Sequence, residues 1–528
     1  MVKRVPAATA LPKSQNPDSL MVTGLPGDRW EITWHDLVYK VPSCWRSDSH
    51  LAFTLSVARE LTSSRAIDGV FAFGGVVDCL MAGRQTRSDR STVGLHDRHK
   101  VLLIKRLMIG KGSTETYLDE AAVRQIVVDA IEAVPIRDNR VLIILPDGTR
   151  TAPIPLMFRI FQQLMHPRAK AVDYLVALGT HPPMGDAQLS KLIGTAVVQG
   201  CVGNTRIFNH SWSDPQVFMT LGSIPATVIS EVTNGLMNCE VPVTLNKLIH
   251  DYDHLIICGP VFPHEVVGFS GGNKYFFPGI AGPEIINFTH WLGAVITNYN
   301  VIGAGYTPVR AVIDNAASLI PKPTWCFALV VDHNGIAGLY FDKPEEAWKS
   351  AAALSARKHI VYVNKPFRRV LSILPELYDD LWTGGKGMYK LEPAIADGGE
   401  VVIYSPRINE VSYTHGELID QIGYHCRDYF LKQWERFKHY PGGVLAHSTH
   451  VKGLGSYDGT TKIESPRITV TLATGISEER CRRINLGYLD PASVKLEEWT
   501  DRESSGTAVI PHAGETLYRL TAYEAKAN

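Results

Sequence analysis

The sequence lacks an excess of charge of either sign, because 53 Lys and Arg residues balance 53 Asp and Glu residues. Nucleic-acid carriers are usually basic and disordered solvating chains are often acidic, so both classes are disfavoured. Long apolar runs are also missing, and no stretch reaches the roughly 18 apolar residues that a membrane span needs. The amino terminus shows no apolar signal segment, so we expect a cytoplasmic protein with neither membrane nor nucleic-acid partners.

Cysteine is scarce and scattered in this chain. The eight cysteines include no CxxC pair and no cluster, which disfavours structural zinc, iron–sulfur clusters and a disulfide framework.

Two nucleotide-binding signatures are missing as well. The glycines at 303 and 305 lack the third glycine of a dinucleotide fingerprint, and segment 268–274 fails the Walker A spacing. A plain nicotinamide dehydrogenase is therefore disfavoured.

The apolar runs that are present alternate with amphipathic segments. Buried strands are predicted at 141–147, 172–181, 254–264, 325–332, 359–364, 368–374 and 400–406. Helices are predicted at 118–134, 153–164, 186–195, 344–356 and 415–437. Strands that alternate with helices in this way are typical of α/β folds with parallel sheets.

The chain length of 528 residues predicts more than one domain. We expect two α/β domains with largely parallel or mixed sheets and a cleft between them. The expected ranges are a disordered tail at 1–26, a first domain at 27–305 and a second domain at 306–505 that closes the cleft. For the last segment, 506–528, a return to the first domain is left open.

Polar side chains follow three of the predicted strands. The first strand ends in Asp147-Gly148-Thr149-Arg150, the second in Gly179-Thr180-His181 and the third in Pro263-His264. Because ligands bind beyond the carboxyl ends of parallel strands, we expect these side chains to converge at one edge of the sheet. Arg150 offers a bidentate fork for a carboxylate or phosphate, and a surface ion pair with Asp147 is the alternative.

A glycine-rich segment, GFSGGNK at 268–274, follows the third strand. Its glycines allow positive φ, and successive N–H groups can form an anion nest. Lys274 is then either a phosphate contact or a covalent amine, and a turn with a solvated lysine is the alternative. His290 lies in the predicted helix NFTHWL at 287–292, where it is either a metal ligand or part of the core.

Two later segments give weaker signals. Lys386 ends the loop WTGGK at 382–386, which is typical of a solvated lysine. His447 and His450 form the motif HSTH and could face one way on a helix, but Gly443 and Ser448 nearby favour a loop, and metal binding there is disfavoured.

In chain order, the motifs DGTR, GTH, PHEVVGFSGGNKYFFPGIAG and FTH resemble those of the nickel-dependent lactate racemase family. The resemblance is strong over residues 140–295, continues weakly to about 410 and fades beyond. One departure lies at Thr383, three residues before Lys386, where the family often has glutamine.

The resemblance implies an isomerase that racemises or epimerises a 2-hydroxy carboxylic acid at C2, by reversible hydride transfer to a nickel pincer nucleotide. It implies a covalent bond between this cofactor and Lys274, and a nickel ion ligated by His290. The first domain would bind the cofactor and carry out catalysis, with further cofactor contacts from Asp147, Thr149, Ser270, Gly271 and Gly272. The acid–base groups would be His181 and His264, and the substrate carboxylate would be held by Arg150 and Lys386.

Substrate and assembly are less defined by the sequence. The chain is longer than typical members of that family, which favours a larger or polyhydroxy acid, an aldonate such as gluconate, over lactate. A nucleotide- or phosphate-binding protein without isomerase activity is the alternative, with SGGNK as an anion nest only. The partner we expect is a small-molecule 2-hydroxy acid, and a homo-oligomer is left open.

Overall fold

The computed structural model describes residues 108–500, 502 and 505–521, and the backbone of three short strands before them. Those strands form an antiparallel sheet and span Met21–Leu25, Arg29–Trp34 and Leu37–Val41. Most of the expected tail at 1–26 lies outside the described residues, and the first strand falls at its end. Residues 105–528 belong to one compact unit, to which all that follows refers.

An eight-stranded sheet, here called the first sheet, dominates the earlier half of this unit. In spatial order its strands are Ile109–Gly112, Gly335–Asp342, Thr324–Asp332, His254–Pro260, Arg140–Leu145, Ala171–Val176, Thr205–Asn209 and Cys201–Val202. The five strands from Thr324–Asp332 to Thr205–Asn209 are parallel, and the outer pairings are antiparallel. Three strands that precede predicted polar motifs are therefore neighbours, and their carboxyl ends meet at one edge.

The later half contains a five-stranded, fully parallel sheet, here called the second sheet. Its strands, in spatial order, are Gly487–Tyr488, Thr469–Thr474, Ile395–Ser405, Phe367–Ile373 and Thr507–Ile510. Four two-stranded pairs lie outside both sheets: Phe218–Ile224 with Val241–Asn246, Pro263–His264 with Gly268–Phe269, Ile360–Val363 with Leu517–Leu520, and Gly455–Tyr457 with Glu464–Pro466.

Helices connect the strands of both sheets. They span Glu120–Ala133, Ile154–Leu164, Asp186–Ile193, Ala226–Val232, Pro283–Ile296, Asn298–Val301, Pro308–Ala317, Pro344–His359, Leu381–Gly384, Lys386–Tyr389, Gly416–Ile422, Arg427–Leu431, Trp434–Phe437, Gly442–Lys452 and Glu478–Arg483. In the described part of the chain, none of them has the length and apolar composition that crossing a membrane requires.

The α/β class with a large, mostly parallel sheet is confirmed, but the expected placement of one strand is wrong. The run at 325–332, assigned to the second domain, lies in the first sheet and pairs in parallel with His254–Pro260. The apolar pattern of a buried strand does not show to which sheet the strand belongs. The position of this run after residue 305 therefore led to the wrong domain. The long helix expected at 415–437 is instead three short helices.

Apolar side chains cover both faces of the first sheet. Along Arg140–Leu145, Val141 and Ile143 pack into one core, whereas Leu142 and Ile144 pack into another. This follows from the alternation of side chains along a strand. The second of these cores also contains side chains of the second sheet, so the two sheets are joined by continuous apolar packing.

Two helices approach each other closely next to this core. A Cβ atom at Gly442 would lie 2.4 Å from the backbone oxygen of Asn287, so this contact requires glycine. One residue later, the amide of Gly443 donates to Oδ1 of Asn287 at 3.0 Å. The start of the helix Gly442–Lys452 therefore packs directly against the helix Pro283–Ile296.

We expect Gly442→Ala to lower the free energy of unfolding by about 1–3 kcal/mol, because the added methyl group overlaps a backbone atom that cannot rotate away. Gly443→Ala is the matched control, since its Cβ would meet nothing closer than Oδ1 of Asn287 at 3.6 Å. Thermal unfolding of both variants checks this. Equal melting temperatures for the two variants would contradict the close contact.

Candidate active site

A cavity of about 1060 Å³, part of it open to solvent, lies beyond the carboxyl ends of the first-sheet strands. Loops that follow three neighbouring strands form one side of it, and short helices from the later half of the chain form the other. The predicted site residues that line it are Asp147, Arg150, His181, His264, Ser270, Gly271, Lys274, His290 and Lys386. Thr149 and Gly272 do not line it, but each is the sequence neighbour of a residue that does.

Asp147 and His181 form the tightest polar contact in the cavity. Nδ1 of His181 lies 2.5 Å from a carboxylate oxygen of Asp147, whose other oxygen accepts from the amide and hydroxyl of Thr149 at 3.0 and 2.6 Å. Burial would raise the pKa of Asp147, but His181 and Arg150 outweigh it and hold that pKa below its usual value. Because an ionised carboxylate only accepts, His181 carries a proton on Nδ1, and in the neutral ring Nε2 is the acceptor.

His264 has the opposite hydrogen-bond arrangement. Its Nδ1 accepts from the amide of Val266 at 3.2 Å, so the neutral ring carries its proton on Nε2. Burial, with Lys274 and Arg150 nearby, lowers the pKa of His264 well below its usual value. A carboxylate oxygen of Glu265 lies 3.3 Å from the same Nδ1. The ring therefore has a partner in either protonation state.

The glycine-rich segment crosses the floor of the cavity in an unusual backbone conformation. Gly271 has a φ of 83°, and a Cβ there would lie 2.5 Å from a methyl group of Val261. The hydroxyl of Ser270 is bonded within the protein, since it donates to the carbonyl of Pro260 at 3.1 Å. Gly272 packs its Cα toward Trp348. Ser270 and both glycines therefore shape the backbone of this segment.

Arg310 fixes the backbone of the glycine-rich segment through hydrogen bonds. Its guanidinium is buried and donates to the carbonyl of Gly271 at 3.0 Å and to that of Phe269 at 2.5 Å. The same guanidinium lies over the ring of Trp348 at 4.4 Å, and the indole N–H of Trp348 donates to the carbonyl of Ser270 at 3.0 Å. Sequence reasoning missed Arg310, because nothing in its helix distinguishes it from a surface arginine.

Lys274 follows this segment in the short 3₁₀ helix Gly272–Tyr275 and reaches the cavity. Burial, with Arg150 nearby, lowers the pKa of Lys274 to about 7. A large fraction of its amine is then unprotonated near neutral pH. This is the state in which a lysine acts as a nucleophile.

His290 lies on the helix Pro283–Ile296, with its ring at the cavity wall. Its Nδ1 donates to the carbonyl of Ile286 at 2.7 Å, which leaves Nε2 with its lone pair free. Burial lowers the pKa of His290. A neutral imidazole oriented by a backbone carbonyl is the usual arrangement of a metal-ligating histidine. Among the described residues, no group of three or more His, Cys, Asp or Glu side chains is placed to hold a metal.

Lys386 approaches the cavity from the later half of the chain. It is 6% exposed, which corrects the expectation of a solvated loop lysine, and it begins the helix Lys386–Tyr389. Burial, with Arg150 nearby, lowers the pKa of Lys386 to about 7. Thr383 lines the same wall, but its hydroxyl donates to Oδ1 of Asp380 at 2.9 Å. Arg150, Lys274 and Lys386 together make the cavity favourable for anions.

Several lining residues were not anticipated from the sequence: Glu265, Trp382, Tyr389, His447 and His450. The expectation of a loop at HSTH is wrong, because these residues lie in the helix Gly442–Lys452. Gly443 and Ser448, which favoured a loop, both lie within this helix, and Gly442 at its start permits the close packing. His447 and His450 were recognisable only by their i, i+3 spacing, which places both on one helix face.

Comparisons with known proteins agree on one family. The pattern described as the lactate racemase N-terminal domain matches residues 89–303. The lactate racemase of Lactiplantibacillus plantarum is 29% identical over 166 residues, which cover 31% of this chain and 35% of that protein. The lactate racemase of Thermoanaerobacterium thermosaccharolyticum is 25% identical over 274 residues, which cover 50% of this chain and 59% of that protein. This chain therefore matches about a third and three fifths of these relatives' lengths.

Solved structures extend the likeness beyond the matched region. A crystal structure of a protein from Thermotoga maritima is 30% identical, with a TM-score of 0.72, and the match covers 78% of this chain and all of that one. The lactate racemase apoprotein of T. thermosaccharolyticum is 20% identical, with a TM-score of 0.58 over 76% of this chain and 94% of that one, and shares the fold. Over residues 89–303 the chain belongs to the lactate racemase family.

Proposed function

We propose that this protein is an isomerase that inverts C2 of a 2-hydroxy carboxylic acid, with a nickel pincer nucleotide as its cofactor. The observation that supports this most directly is the pair of histidines with opposite hydrogen-bond arrangements beside one anion-binding cavity. His181 presents a basic Nε2, and His264 presents an N–H at the same ring position. Membership of the lactate racemase family supports the same reaction class.

The residues present fit the proposed cofactor. Lys274 offers an amine whose pKa is lowered to about 7, as a covalent attachment requires. His290 offers an oriented imidazole with a free Nε2, a donor type that suits nickel. The backbone around Gly271 lets a flat ligand approach closely. When bound, the cofactor supplies a hydride acceptor for the hydrogen at C2.

The charged side chains bind and orient the substrate. Arg150 and Lys386 both line the cavity, where a guanidinium can bind a carboxylate through two N–H groups and a lysine can add a point charge. Burial and the nearby charge of Arg150 disfavour the protonated forms of Lys386 and Lys274. The negative charge of a bound carboxylate favours these protonated forms. We propose that the later half of the chain, through Lys386, closes the cavity over the substrate and excludes water.

The two histidines hold and move the hydroxyl proton. In one direction Nε2 of His181 accepts the proton of the C2 hydroxyl, and Asp147 stabilises the imidazolium that results. His264 protonates the oxygen on the other side, and Glu265 next to its Nδ1 stabilises its charged form. The bound carboxylate offsets the cations that disfavour this form. In the reverse direction the two roles exchange.

The polar lining favours a substrate larger than lactate. In addition to the proposed acid–base pair, the cavity is lined by Glu265, His447 and His450, whose side chains can bind hydroxyl groups. We propose a polyhydroxy acid, an aldonate such as gluconate, as the substrate class.

Lys274→Ala is expected to abolish the covalent adduct in protein produced together with the enzymes that make the cofactor. Intact-mass spectrometry measures the adduct directly. Lys386→Ala is the matched control, because it removes a second buried lysine whose pKa is also lowered to about 7, without touching the proposed attachment point. An adduct that persists in the first variant, or disappears from both, would refute the assignment.

His290→Ala is expected to lower the nickel content below about a tenth of the wild-type value while the organic adduct remains on Lys274. The reason is that the variant removes the proposed imidazole ligand and leaves the attachment residue intact. Elemental analysis combined with intact mass separates the two effects. Full nickel content in this variant would place His290 in the core instead, and a wild-type protein without nickel would support a phosphate-binding protein.

His181→Ala and His264→Ala are each expected to lower the rate of C2 inversion by about 10²–10⁴-fold, the usual contribution of a general acid or base. Inversion is followed by polarimetry with a panel of 2-hydroxy acids and cofactor-loaded protein. His166, which lies away from the cavity lining, provides the control substitution His166→Ala. Near-normal turnover in either cavity variant would exclude the two-histidine scheme.

A further inference from the structure

We propose that His447 and His450 form a hydroxyl-recognition edge of the cavity, which selects substrates whose side chain carries hydroxyl groups beyond C2. This inference rests on the proposed function, whose site it shares. It assigns substrate selection to two residues of the later half of the chain, separate from those that hold the cofactor or move the proton.

The placement of the two residues is the first argument. They lie three residues apart on the helix Gly442–Lys452, so both rings project from one face, and both line the cavity. His447 is 7% and His450 is 3% exposed. The close contact at Gly442 fixes this helix against the helix that carries His290. The edge therefore has a defined position relative to the reacting centre.

The unpaired ring nitrogens are the second argument. Nε2 of His447 donates to the carbonyl of Trp382 at 3.1 Å, and the two rings stack with centroids 4.0 Å apart, so the ring is held and its Nδ1 remains as an acceptor. Neither that Nδ1 nor either ring nitrogen of His450 has a hydrogen-bond partner among the described residues. Buried polar atoms without partners are costly, and because these three belong to residues that line the cavity, a ligand bound there can pair with them.

The protonation state of the two imidazole rings indicates which functional groups the ligand carries. Burial lowers the pKa of His447 to about 3 and that of His450 to about 4, so both are neutral near pH 7. A neutral imidazole offers one donor and one acceptor, as a hydroxyl group does. An apolar side chain, such as the methyl group of lactate, would leave these nitrogens unpaired, and sites of this kind discriminate strongly against substrates that lack the hydrogen-bonding group.

The test compares gluconate with lactate in cofactor-loaded protein. We expect wild-type kcat/KM to be at least tenfold higher for gluconate. His450→Leu should lower kcat/KM for gluconate at least tenfold and that for lactate less than twofold, whereas His450→Gln, which keeps a donor and an acceptor, should retain most of the preference. His415→Leu is the matched control, since His415 is also buried and also packs on Trp382, at 4.6 Å, but does not line the cavity.

A binding measurement separates this inference from the reaction itself. 2-Deoxygluconate keeps the carboxylate and the distal hydroxyls but has no C2 hydroxyl to react. Calorimetry should show it binding wild-type protein at least tenfold more tightly than butanoate, and His450→Leu should remove that difference. The nickel content and the Lys274 adduct should not change in this variant.

Three results would overturn the inference. They are equal losses for gluconate and lactate in His450→Leu, loss of nickel from that variant, and equal affinity of wild-type protein for 2-deoxygluconate and butanoate. The last result needs no variant and so remains informative if His450→Leu fails to fold. Failure of loaded protein to invert any 2-hydroxy acid would refute the proposed function alone, because the binding comparison does not depend on turnover.

Discussion

The geometry of the active site depends on one buried cation, the guanidinium of Arg310. It donates to two carbonyl groups of the glycine-rich segment and lies against Trp348, which donates to a third. A segment this rich in glycine has little conformational preference of its own, so its shape has to come from outside contacts. Lys274 lies at the end of this segment in the sequence. The contacts of Arg310 with the segment therefore also help to fix the position of Lys274 in the cavity.

A second constraint is the concentration of positive charge around the cavity. Burial lowers the pKa of both Lys274 and Lys386, and the positive charge of Arg150 acts in the same direction. The cavity without an anion is therefore electrostatically unfavourable, and binding a carboxylate relieves part of this cost. The same arrangement lowers the pKa of His264 as well. The preference of the cavity for anions and the lowered pKa values of its side chains thus have a common origin.

Much of this site was predictable because a parallel sheet has simple geometry. Three apolar strands ended in polar motifs, and their neighbouring positions in the sheet brought Asp147, His181 and His264 together. The histidines at 447 and 450 were not predictable, because glycine at a helix start has the same appearance in sequence as glycine in a loop. Only the tertiary contact with Asn287 decides between the two. Local sequence describes a strand or a turn well, but not the surface on which it packs.

The return of the chain to the first sheet affects how the protein can be divided. The strand Thr324–Asp332 pairs with His254–Pro260, so the region matched by the lactate racemase N-terminal domain, which ends at residue 303, does not contain its own complete sheet. A fragment that stops there would expose the edge of His254–Pro260 along its whole apolar length. Such edges recruit other chains and lead to aggregation. The half that carries Lys274 and His290 therefore depends on later sequence to cover its sheet edge and to avoid aggregation.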